Sequence, residues 1–300
     1  MKKDLLIIDT RLLAYETYHK HLPFISFVEF ISSYVSNYVL PNRIVWAYDS
    51  REGSKRRKEL YPEYKAHRKE LIKTEAEKNR LQKFNDDYNK VESILQYLGN
   101  VIHLPGYEAD DIANILTDKL KDKYNIWLLS SDKDWLVNLK ADNIKQLHLK
   151  RGLITSDNVF EEFGVLPENI IKVQALAGVA KENIKGVYRL GEKRVYKMLN
   201  EGLTIDEIID IIQEWVGIGK FGMKLPDGFS SVREMYEFNY EVLRPLVFND
   251  LEKDEQTELL KQINYRKQGN VEQLEQEIIE KFRQPILFSE QMKKFYHIKE

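Results

Sequence analysis

Short apolar runs alternate with helical patterns through the first half of the chain, and most of those runs end in an acid. The runs at 4–9 (DLLIID), 43–49 (RIVWAYD), 100–103 (NVIH), 125–132 (NIWLLSSD) and 144–149 (IKQLHL) have the length and composition of strands. Helical patterns fill the intervals near 26–40, 81–98 and 109–121. In 81–98, Leu81, Phe84, Tyr88, Val91, Leu95 and Leu98 recur every three or four residues, which predicts one buried helix face. Strand and helix in alternation predict a parallel α/β sheet with helices on both faces. Its strand ends then line up along one edge, where open α/β sheets place their sites.

Three of the five strand candidates end on or run into an acid: Asp9, Asp49 and Asp132. Asp134 follows two residues after Asp132, on the same side if the chain stays extended. The third strand leads into GYEADD, with Glu108, Asp110 and Asp111 at a predicted helix start. Each acid by itself reads as a turn residue or a helix cap. Gathered on one rim they need neutralising, because two carboxylates ~4 Å apart repel by about 4 kcal/mol at an effective dielectric of 20. Hard divalent cations with oxygen ligands meet that need, so Mg²⁺ or Mn²⁺ is expected. The chain has no cysteine, which excludes disulfides and thiolate metal sites. Two cations on such a rim support phosphoryl chemistry without a general-base histidine. Neither GxxxxGK[ST] nor GxSxG occurs, which argues against a nucleotide kinase and a serine hydrolase.

The net charge of −2 conceals local basic patches. Residues 51–73 hold nine Lys/Arg against four Asp/Glu, and residues 181–197 six against two. Such patches bind phosphates whatever the global sum. No apolar run approaches a membrane span. Asp9 interrupts the N-terminal apolar run, so it does not read as a signal peptide, and a cytoplasmic location is expected (host cytoplasm for a viral protein). Beyond about residue 155 helical patterns dominate, near 166–177, 192–200, 204–215, 231–247 and 271–283, with a Gly-rich loop at 216–231.

The order Asp9, Asp49, GYEADD (106–111), SSDKDW (130–135) and AGVAKENIKGVYRLGEKR (177–194) resembles the 5′-nuclease or flap endonuclease family, in particular the free-standing bacteriophage 5′-3′ exonucleases. The resemblance implies a mixed, mostly parallel sheet flanked by helices, a helix–three-turn–helix DNA-binding region and a helical C-terminal part. It implies a nuclease core over 1–165 with an arch or clamp near 56–95, and the DNA-binding and C-terminal helices over 166–300. The implied activity is metal-dependent 5′-3′ exonuclease and flap endonuclease cleavage of DNA near 5′ ends or junctions, in replication or repair. Its implied metal ligands are Asp9, Asp49, Glu108, Asp110 and Asp111 around one Mg²⁺, and Asp132, Asp134 and Glu182 toward a second. RRKELYPEYKAHR (56–68) resembles the stretch before the arch, and assigns catalytic roles to Arg57, Tyr64 and Lys65 and DNA binding to Arg68. Lys65 would neutralise the scissile phosphate, and Tyr64 would stack on a base. Lys185, Gly186, Gly191, Lys193 and Arg194 would grip duplex DNA in the helix–three-turn–helix, with K⁺ bound in that hairpin.

This chain departs from the family pattern at the second cation site. Val179 stands where an Asp is expected, and Glu182 where a second is expected; Arg189 replaces a hairpin glycine. A weakened second site follows. The rival expectations are a catalytically weak branched-DNA-binding protein of the same fold, and RNase H-like removal of RNA primers from RNA–DNA hybrids. A monomer acting on branched or 5′-ended DNA, without a membrane, is the leading reading.

Overall fold

The computed structural model describes residues 2–19, 26–50, 52–69, 74–267, 270–283 and 288–298. They form two compact units that interleave in sequence: residues 1–53, 73–155 and 246–300 make the first, and residues 54–72 and 156–245 the second. The single cut expected at residue 165 is replaced by this division. The C-terminal helices return to the sheet, and residues 54–72 join the later segment.

Unit 1 is built on a six-stranded sheet. Its strands are β1 (Lys3–Asp9), β2 (Arg43–Ala47), β3 (Asn100–Ile102), β4 (Tyr124–Leu129), β5 (Ile144–His148) and β6 (Gly152–Ile154). Their order is β3-β2-β1-β4-β5-β6, parallel throughout except for β6, which pairs antiparallel with β5. This is the mixed, mostly parallel sheet expected. Central β1 carries Leu5, Leu6, Ile7 and Ile8, all wholly buried, because helices cover both faces of a parallel sheet. The intervening helices are α1 (Thr10–His19), α2 (Ser26–Val35), α4 (Glu75–Leu98) and α5 (Ala109–Leu120). A capping box between Thr74 and Glu77 starts α4, whose buried face carries Phe84, Tyr88, Val91, Ile94, Leu95 and Leu98. After residue 245, α11 (Lys253–Asn264), α12 (Val271–Phe282) and α13 (Glu290–Tyr296) complete the unit. The Gln262 amide bridges the main chain of His103, accepting from its N–H at 2.9 Å and donating to its carbonyl at 3.1 Å. That clasp covers the β3 edge of the sheet. Helices α1, α11 and α13 escape the sequence pattern: the buried face of α1 is Thr10, Leu13, Ala14 and Thr17, half of it polar, and that of α11 holds only Leu259 and Ile263.

Unit 2 contains α3 (Lys55–Leu60), α6 (Val159–Phe163), α7 (Ile170–Ala177), α8 (Glu192–Asn200), α9 (Ile205–Gly217) and α10 (Val232–Leu243). The link between α7 and α8 is a hairpin of β7 (Gly178–Val179) and β8 (Ile184–Lys185), closed by a 3-10 turn at Ala180–Glu182. A loop over 186–191 then leads to α8. The expected Gly-rich loop at 216–231 is interrupted by a 3-10 turn at Lys220–Gly222.

Val179 is 7% exposed and packs with Tyr64, Ile184, Val242 and Leu243. An Asp there would be a carboxylate in an apolar cluster, which costs free energy unless it is paired. Val179→Asp is therefore expected to destabilise the protein by about 1–3 kcal/mol and lower its Tm, without tightening Mg²⁺ binding. Thermal melts and metal titrations check this; a wild-type Tm with tighter Mg²⁺ binding would contradict the packing.

Candidate metal centre

Parallel strands bring their C-terminal ends to one rim of unit 1. Asp9 is the last residue of β1, paired in register with Ala47 of β2. Asp49 lies two residues past β2, and Asp132 three past β4. Glu108, Asp110 and Asp111 occupy the start of α5, and oxygens from the three lie within 4.8 Å of one another. The expected convergence of acids is thus present in unit 1.

Each carboxylate is oriented by a neighbouring donor. The Ala109 N–H donates to Asp49 Oδ1 at 2.8 Å, which ties the β2 loop to the start of α5. The Glu108 N–H donates to Asp111 Oδ2 at 3.1 Å, satisfying a donor at the helix start. Ser130 links two acids: its hydroxyl donates to Asp9 Oδ2 at 2.9 Å and accepts from the Asp132 N–H at 3.1 Å. Ser50 plays a similar part, accepting from the Gly106 N–H at 2.9 Å and so holding the loop before Glu108. Neither serine figured in the sequence reading, although Ser130 lies inside the quoted SSDKDW. The chain does not stay extended at Asp134. Asp132 caps a 3-10 turn at Lys133–Asn138 and accepts from the Asp134 N–H at 3.0 Å, so the same-side argument does not apply.

Asp9 shows the cost of this crowding. Burial pushes its carboxyl up from the ordinary value to about 7, and the negative charges of Asp49 and Asp132 push the same way. Hydrogen bonds from Ser130 and the Leu12 N–H offset part of the shift. An all-oxygen anionic donor set, with Asp9 and Asp111 buried and the others half-buried, suits a hard divalent cation. Asp9, Asp49, Glu108, Asp110 and Asp111 could hold one, with Asp132 joined to Asp9 through Ser130.

The basic residues expected to be catalytic are committed within unit 2. Arg57 is 4% exposed; its Nε donates to the Val242 carbonyl at 3.1 Å and its Nη1 to Ser54 Oγ at 3.3 Å. Tyr64 is 2% exposed, inside the cluster that includes Val179, so it offers no face for base stacking. Lys65 Nζ lies 3.6 Å from Glu182 Oε1, and both side chains are largely buried. Glu182 therefore faces a lysine rather than an open ligand position. The Arg68 side chain lies outside the described residues. Lys185 and Lys193 are exposed, and Arg194 is half-buried with its guanidinium 4.5 Å from the Phe221 ring centroid. Gly186 serves packing: a Cβ there would fall 2.1 Å from the Ala177 carbonyl carbon. Gly191 opens onto free space at the start of α8.

The family model described as the 5′-3′ exonuclease N-terminal resolvase-like domain matches residues 4–164. The chain belongs to the 5′-3′ exonuclease family. It is 30% identical over 235 residues to the 5′-3′ exonuclease of Mycoplasmopsis pulmonis, covering 74% of this chain and 75% of that one. The Bacillus subtilis 5′-3′ exonuclease is 31% identical over 57% of this chain and 56% of its own length. The match to DNA polymerase I of Streptococcus pneumoniae is 30% identical over 70% of this chain and spans a quarter of that protein (25%). In fold, the chain resembles a bacteriophage T5 5′-exonuclease with bound divalent zinc ions, at TM-score 0.65 and 23% identity over 98% of this chain and 97% of that one. A bacteriophage T5 flap endonuclease complex with DNA and metal ions gives TM-score 0.65 and 23% identity, covering 94% of this chain and 100% of that one.

The raised Asp9 carboxyl gives this 5′-3′ exonuclease a pH signature. Its folded value, about 7, lies above the ordinary 3.8, so its contribution to stability is full below pH 3.8 and is lost as pH rises through 7. Metal-free wild type should therefore lose up to ~4 kcal/mol relative to Asp9→Asn across that window, and Mg²⁺ should reverse the loss. Denaturant melts of both proteins with EDTA and with Mg²⁺ check it; parallel stability curves would contradict it.

Proposed function

We propose that this chain is a Mg²⁺-dependent 5′-nuclease that hydrolyses DNA phosphodiesters near 5′ ends and junctions, as exonuclease and flap endonuclease. The observation that carries the reading is the convergence of Asp9, Asp49, Glu108, Asp110, Asp111 and Asp132 at the C-terminal ends of parallel strands, with the Asp9 carboxyl raised to about 7. Bound there, a divalent cation would polarise the phosphate and lower the pKa of the attacking water. Asp49 and Asp111 are held by main-chain N–H groups and Asp9 by Ser130, so their oxygens are in place before substrate arrives. A cation held there would displace the proton that Asp9 carries part of the time near pH 7.

Val179 and Glu182 supply no open carboxylate, so a second cation would rest on Asp132 and the DNA phosphate itself, with Asp134 a ligand by the family resemblance alone. Main-chain and cationic groups of unit 2 are the proposed duplex grip. An open groove of about 1100 Å³ is lined by residues including Lys185, Gly186, Gly191 and Lys224. Arg194 Nη1 is buried without an acceptor among the described residues, so it would have to turn outward to reach a phosphate oxygen. Contacts of this type position a duplex without reading its sequence. The same hairpin is where the family resemblance puts K⁺. Among the described residues no helix is long and apolar enough to cross a membrane.

Asp110→Asn and Asp111→Asn test the reading. Each keeps shape and removes one charge, so cleavage of a 5′-flap DNA with Mg²⁺ should fall at least ~100-fold. DNA binding should hold or tighten, since repulsion of phosphate falls. Gel-based cleavage and fluorescence anisotropy measure the two effects; near wild-type turnover in both variants would overturn the assignment.

A further inference from the structure

Arg11 lies two residues beyond Asp9, in the first turn of α1. A cation there opposes the helix dipole, so the position calls for a compensating interaction. Its Nε lies 3.9 Å from Asp49 Oδ2, within ion-pair range and beyond a hydrogen bond. Its Nη2 donates to Asn85 Oδ1 at 2.8 Å. Its Cζ lies 5.3 Å from the Phe84 ring centroid and 5.2 Å from that of Tyr88. Phe84 and Tyr88 are one helical turn apart on α4, both buried, with Asn85 between them in sequence. Helix α4 thus holds the guanidinium on an aromatic shelf beside the acid rim, and all of these residues belong to unit 1.

We propose that Arg11 is a phosphate-binding residue of the 5′-nuclease reaction, its guanidinium holding a non-bridging oxygen of the scissile phosphodiester at the Asp9–Asp49 end of the rim. The inference rests on the 5′-nuclease reading. Two observations separate it from simple charge compensation of Asp49. Arginine–carboxylate pairs are frequently short and bidentate, whereas the hydrogen bond here goes to neutral Asn85 and Asp49 is reached only at 3.9 Å. Arg11 Nη1 has no acceptor among the described residues, and the side chain is 36% exposed. The planar fork is therefore oriented, only partly used and open to solvent, the state of a donor awaiting a tetrahedral anion. Cations bound to the carboxylates would weaken the pull of Asp49 and leave the phosphate as its anionic partner.

A double cycle on the full chain tests this. Flap duplexes carry either a phosphodiester or a neutral methylphosphonate at the linkage that wild type cuts, and their Kd values are measured with Ca²⁺ in place of Mg²⁺, under conditions where no product forms, for wild type, Arg11→Gln and Arg11→Lys. The phosphodiester-to-methylphosphonate Kd ratio should change roughly tenfold or more between wild type and Arg11→Gln, with Arg11→Lys between them. In Mg²⁺, kcat should fall at least ~tenfold in Arg11→Gln while the Mg²⁺ half-saturation stays put. An unchanged ratio, or an activity loss explained by a shifted Mg²⁺ half-saturation, would overturn the assignment. Should Arg11→Gln fail to fold, the Arg11→Lys ratio decides alone. A wild type that does not cut the flap at all refutes the 5′-nuclease reading; a wild type that cuts, with no coupling at Arg11, refutes only this inference.

Discussion

Repulsion among carboxylates gathered at one end of a parallel sheet is the constraint on which unit 1 depends. Apolar strands put that end against a dry core, and the same burial that stabilises the sheet raises the Asp9 carboxyl. The fold tolerates the crowding by giving its acids donors. The Ala109 N–H, the Glu108 N–H and the Ser130 hydroxyl each fix one oxygen of Asp49, Asp111 and Asp9. The remaining charge favours a bound cation, so a cost to the metal-free fold would become affinity for a metal held there.

Unit 2 uses charge in the opposite way. Arg57 and the Lys65–Glu182 pair lie in or beside a small apolar cluster, where hydrogen bonds and ion pairing satisfy them. Breaking such a buried pair from one side leaves an uncompensated charge. The cations that remain exposed, Lys185 and Lys193, lie on the hairpin and at the start of α8, where the main chain is also open at Gly191. A phosphate approaching there meets charge already directed at solvent.

The central sheet was legible because its strands are continuous apolar runs, and the rim because parallel strands must end together. Asp9, Asp49 and the Glu108–Asp111 turn follow from those two facts. The sequence was silent where burial depends on distant partners. A motif gives the identity of Arg57 and Tyr64, while the Val242 carbonyl, 185 residues from Arg57, decides that Arg57 is a structural clamp. Val179 looked like a missing ligand and is a core residue, since its neighbours come from residues 64, 184, 242 and 243. Arg11 carried no signal, because the helix whose first turn it occupies escaped the sequence pattern. The shelf on α4 is what singles it out.

Proton release on cation binding addresses the account at its centre. Calorimetric titration of the DNA-free protein with Mg²⁺, at pH 7 in two buffers of different ionisation enthalpy, yields the number of protons released per ion. Asp9, with its carboxyl near 7, should release a substantial fraction of one proton as the ion binds. Saturable binding with no proton release, or no saturable binding at all, would contradict a cation held at the Asp9 rim.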